Sequence, residues 1–148
     1  MTDEEIHNIC ASHSILRYTI NNGLVDIQGD LYLTKRGLTK LPVRFGHVSG
    51  DFDCGGNNLT TLEGSPHTVG NYFACNENRL TSLIGGPQIV RGDYYCNDNN
   101  LTDLKGFPKE FGGELHIEHN PIDVIIKDNE YIDFINILPS YDIPLSLQ

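Results

Sequence analysis

Hydrophobic and polar positions along the chain alternate in short bursts that recur every 21 residues. Counting from Leu33, that step reaches Cys54, Cys75, Cys96 and Ile117; two positions earlier it links Leu31, Phe52, Phe73, Tyr94 and Leu115. An apolar–polar–apolar triplet is the period of a strand with one buried face. Three positions after the reference stand Arg36, Asn57, Asn78, Asn99 and Asn120. Five after come Leu38, Leu59, Leu80, Leu101 and Ile122, and eight after come Leu41, Leu62, Leu83, Leu104 and Ile125. The asparagine falls where the chain must leave the strand, and its amide can pair with backbone groups that the turn orphans. The aliphatic positions then point back inward. Gly64, Gly85 and Gly106, followed by Pro66, Pro87 and Pro108, keep the return segment extended and too short for a helix.

A fixed period of this length is the mark of a solenoid. The pattern predicts a β-rich solenoid of five units, built on one curved parallel sheet of about five strands, with Leu59, Leu80 and Leu101 stacked inside. Open ends of such a stack need covers. Thr2-x-x-Glu5 is a capping box, and Ile6, Ile9, Cys10 and His13 follow at helical spacing, which predicts a capping helix over 3–16. Asn21-Asn22-Gly23 predicts a hairpin between Tyr18–Ile20 and Leu24–Ile27. At the other end, Asp128 or Asn129 starts a second helix with Ile132, Ile135 and Leu138 on one face, and Pro139 ends it. The organisation is therefore an N-terminal cap over 1–28, repeats over 29–126, and a helical cap and tail over 127–148.

Residues 29 to about 126 follow LxLxxNxLxxL, and this wording resembles the leucine-rich repeat. The short period and Leu38-Thr39-Lys40-Leu41-Pro42 are similar to the short-repeat leucine-rich effectors of Gram-negative pathogens. Gly50 to Pro66, GDFDCGGNNLTTLEGSP, resembles more closely the repeats of small leucine-rich proteins encoded by tailed bacteriophages. Departures from the pattern sit at the ends: Arg36 in place of Asn, Phe45 in place of Pro, Asp123 in place of Thr. Terminal repeats meet a cap on one side and are expected to differ.

Charge narrows the range of partners. Ten Lys and Arg oppose 20 Asp and Glu, for a formal net charge of -10 over 148 residues. Such a chain repels phosphate backbones and anionic lipid, so neither nucleic acid nor a membrane is expected as partner. No apolar run is long enough to span a bilayer, and the N-terminus lacks the features of a secretory signal, so the expected location is the cytoplasm.

Few residues suggest chemistry. Cys54, Cys75 and Cys96 lie in one row, whereas zinc takes ligands around a tetrahedron. Leu33 and Ile117 share that row, which makes it core. Glu114, His116 and Glu118, with His119 nearby, could ligate a metal or a small ligand, but no HExxH or third histidine accompanies them. No nucleophile–base pair and no phosphate loop is present. The chain is expected to be no enzyme and to need no cofactor.

The outward side of the strands, the concave face expected of such a sheet, is more informative. It carries Tyr32, Asp51, Asp53, Tyr72, Asp93, Tyr95, Glu114 and His116, without lysine or arginine. Tyrosine anchors interfaces and fixed carboxylates steer a basic partner toward them. The expected function is non-catalytic protein binding. The phage resemblance implies a host protein as partner and inhibition or modulation, for instance of anti-phage defence, as outcome. A DNA-mimic inhibitor, a metal- or ligand-binding protein using Glu114, His116 and Glu118, and a structural virion component are the alternatives.

Overall fold

The computed structural model describes residues 1–122, and in it each repeat makes one turn of a β-solenoid. Helix α1 (Asp3–Ser12) opens the chain. Its capping box forms: the Glu5 amide donates to Thr2 Oγ1 and the Thr2 amide to Glu5 Oε2. The helix ends sooner than its periodicity predicts. Ser14 takes φ 54°, and bonds from Ser14 N to Ala11 O and from Ile15 N to Cys10 O close a Schellman motif. That turn drives Ile15 into the core. Strands β1 (Tyr18–Asn21) and β2 (Leu24–Ile27) then form the expected antiparallel hairpin. Asn22 and Gly23 both have positive φ at its tip, as a two-residue turn of the primed type requires.

Strands β3 (Leu31–Tyr32), β5 (Phe52–Asp53), β7 (Phe73–Ala74), β9 (Tyr94–Tyr95) and β11 (Leu115–His116) pair in parallel, in that order, as a five-stranded sheet. Leu31, Phe52, Phe73, Tyr94 and Leu115 face one another in register, which fixes the 21-residue step as one rung. The return segments do more than stay extended. β4 (Phe45–Val48), β6 (Thr68–Val69), β8 (Ile89–Val90) and β10 (Glu110–Phe111) stack on the hairpin as a second, six-stranded sheet in the order β1-β2-β4-β6-β8-β10. Identical turn lengths bring each return segment beside its predecessor, so its backbone groups find partners there. The solenoid thus has two parallel faces instead of one.

The core lies between them. Leu59, Leu80 and Leu101, then Leu62, Leu83 and Leu104, are fully buried rows. Phe52 stacks flat on Phe73 (centroids 5.7 Å apart, 6° between planes), and Phe73 leans on Tyr94. Cys54, Cys75 and Cys96 are buried and unpaired, and burial pushes all three thiols up.

The asparagine ladder works across turns. Asn78 donates to the carbonyls of Cys54 and Cys75, and its own oxygen accepts from Leu59 N at 2.9 Å. Asn99 and Asn120 repeat this one and two turns later, on Leu80 N and Leu101 N. Asn57 serves the first turn, accepting from Arg36 N and Leu38 N. Arg36 has no ladder role of its own; its guanidinium reaches the carbonyls of His13 and Tyr32 and ties the cap to the first rung. At the far end Pro121 has no amide hydrogen, and Ile122 N takes the Leu101 carbonyl at 2.9 Å. Gly106 is needed where it stands: its φ is +89°, and a Cβ there would lie 2.2 Å from the Leu83 carbonyl carbon. The helix expected from Asp128 or Asn129, and the repeat position Ile125, lie outside the described residues.

Candidate functional site

The five-stranded sheet points one side chain outward from the same place on every rung: Tyr32, Asp53, Ala74, Tyr95 and His116 stand in register. A second outward row lies just before the strands and contains Asp30, Asp51, Tyr72, Asp93 and Glu114. All eight residues expected at the site therefore fall on one face, within two adjacent rows.

Aromatic rings run along it. Tyr72 meets Tyr95 edge to face, centroids 5.7 Å apart, and Tyr95 stacks on His116 at 4.4 Å with the planes 8° apart. The imidazole nitrogens of His116 lie 3.9 Å from Glu114 and 3.8 Å from Glu118. Tyr32 donates its hydroxyl to Asp51 (3.0 Å), and Tyr95 donates to Asp93 (3.2 Å). These bonds limit the rotamers of the phenols, so less freedom is lost when a partner covers them.

The carboxylates differ from one another. Asp51 is 8% exposed and accepts from Asn71 Nδ2 (2.6 Å) and Tyr72 N (3.3 Å) as well as from Tyr32. It holds three rungs together, a role hidden in the sequence because its partners come from other turns. Asp93 likewise receives the Glu114 amide at 2.8 Å. Asp53 accepts from Gly55 N (2.9 Å) and from the Tyr72 phenol, and burial raises its carboxyl above the ordinary range despite those bonds. Burial, then the charges of Asp53 and Asp51, push the Tyr72 phenol up, so it stays protonated and able to donate. Among the described residues no lysine or arginine makes an ion pair with any carboxylate of this face; the ion pairs there involve His116 and, off the strand, His119 with Asp98 (2.9 Å). His119 is thus separated from the His116 group, and among the described residues no cluster of three or more metal-ligating side chains forms.

Sequence reasoning missed one row. Lys35, Glu77, Asp98 and His119 all adopt positive φ, with Gly56 in the same place on its turn. This left-handed step directly precedes the ladder position and carries four charged or titratable side chains to the edge of the face. Only Gly56 signalled it.

Compared with models of known protein families, with curated proteins and with solved structures, the chain gives no significant match. Among the described residues no helix is long and apolar enough to cross a membrane.

Proposed function

We propose that this protein is a non-catalytic binding module that captures a protein with a basic surface on the outward face of its five-stranded sheet. One observation carries the reading: the Tyr72–Tyr95–His116 run of rings stands among carboxylates that have no lysine or arginine partner among the described residues. Solubility alone requires the acids but not the aligned rings. Tyrosine gives large contact area at low entropic cost, and uncompensated carboxylates supply complementarity to a cationic partner.

The finer reading rests on the sequence. The wording of Gly50 to Pro66 supports a leucine-rich repeat protein of the tailed-phage type, acting in the host cytoplasm on a host protein as inhibitor or modulator. The test is capture from bacterial lysate by the immobilised protein, compared with the Tyr72→Ala, Tyr95→Ala double variant. The double variant should lose the captured protein while keeping its melting temperature. Undiminished capture of the same protein by that variant would sink this reading of the face.

A further inference from the structure

One spot on the face, beside Asp53, is built from small residues. Two residues on, just past the end of β5, comes Gly55; in register on the next rung stands Ala74. Neither carries more than a methyl group. A Cβ built on Gly55 would lie 2.8 Å from Asn76 Oδ1 and 3.1 Å from Asp53 Oδ1, so two acceptor oxygens converge over that buried residue. Among the described residues the side chain of Asn76 makes no hydrogen bond, and no lysine or arginine pairs with Asp53. Tyr72 precedes Ala74 on its rung and Tyr95 follows Ala74 in the outward row, so aromatic rings flank the spot.

We propose that this spot seats one arginine of the partner, its guanidinium shared between Asp53 and Asn76 and lying against the tyrosine rings. The inference rests on the proposed binding face and adds to it the side chain that the face reads. Three features favour arginine over lysine. Two convergent acceptors suit a planar fork of donors better than a single ammonium. A guanidinium gives up its water more readily than an ammonium, which suits a half-buried carboxylate. Its flat surface also stacks on aromatic rings. Gly55 has a structural part in this, because a Cβ there would push the two acceptor oxygens out of place.

The test is an NMR titration of the full chain with two disordered peptides, one with arginines spaced by Gly-Ser pairs and the other with lysines in their place. The arginine peptide should bind about fivefold tighter or more, with the amides of Gly55 and Asn76 among those that shift. Asp53→Asn and Gly55→Ala should each bring the two peptides to equal affinity. Equal binding of both peptides to the unaltered protein overturns the arginine seat and leaves the face as a surface for basic proteins. An arginine preference that survives both substitutions also overturns it, since the seat then lies elsewhere. No shift on the face with either peptide overturns both the seat and the binding face.

Discussion

The phenol of Tyr95 and the imidazole of His116 lie parallel, 4.4 Å apart, on neighbouring rungs, because the five-stranded sheet holds residues 95 and 116 in register. The stack couples the aromatic run to the carboxylates of Glu114 and Glu118. Aromatic pairs of this kind contribute about 0.5–1.5 kcal/mol beyond the area they bury. A double-mutant cycle of Tyr95→Ala and His116→Ala, followed by urea unfolding, should return a coupling energy of that size. A coupling near zero would mean that the rings share a face without supporting each other.

The ladder predicts a larger loss. Asn78→Ala leaves the buried Leu59 N without its partner, at a cost of about 1–3 kcal/mol, while the Cys54 and Cys75 carbonyls keep their bonds from Asn57 and Asn99. A destabilisation of about 1–3 kcal/mol is expected, with selectively faster amide exchange at Leu59. Exchange at Leu59 that matches the unaltered protein would contradict the assigned bond.

Leu80 is completely buried between the sheets. Leu80→Ala should cost about 2–5 kcal/mol in urea unfolding, and Leu80→Asp should prevent folding altogether, since it buries an unpaired carboxylate. The thiols of Cys54, Cys75 and Cys96 should react with a thiol reagent only at the rate of unfolding, because they are buried and burial raises them. Fast native-state labelling would show that the stack opens far more readily than its packing implies.

Asp53 gives a pH dependence with a definite sign. Its carboxyl is raised in the folded protein, chiefly by burial, so the folded state holds the proton more tightly than the unfolded chain does. Ionisation of Asp53 therefore opposes folding as pH rises above the unfolded carboxyl range, and the opposition is absent at lower pH. Asp53→Asn should melt at or above the temperature of the unaltered protein at neutral pH, and the difference should vanish in acid. Asp51→Asn should behave oppositely and melt lower, because it weakens a carboxylate that receives bonds from three other residues.

How much of this was legible depended on whether a role belongs to one residue per turn. The buried cysteine row, the ladder asparagines and the leucine rows recur at a single step, so the solenoid and its core could be read from spacing alone. The second sheet could not. Its strands Thr68–Val69, Ile89–Val90 and Glu110–Phe111 are two residues long, with no alternation to see, and they exist because equal turn lengths bring them side by side. Asp51 and Asp53 look alike in the sequence, two positions apart on the outward side. They separate into a joint across three rungs and a half-buried acid with a raised carboxyl only through Tyr32, Asn71 and Tyr72, which arrive from neighbouring turns.

The ladder also has a direction, since each asparagine completes the turn before its own. Every turn thus depends on a successor, and a stack built this way would have no natural last member. Within the described residues Pro121 resolves this with a single missing hydrogen: Ile122 N takes the Leu101 carbonyl that an amide at position 121 would otherwise have claimed, so Ile122 N does not call for a fifth asparagine. It acts as punctuation, a full stop written in the same alphabet as the repeats. Whole 21-residue units between Arg36 and Pro121 are therefore the natural quantum by which this protein could be shortened or lengthened, and a deletion of 20 or 22 residues would leave the sentence ungrammatical.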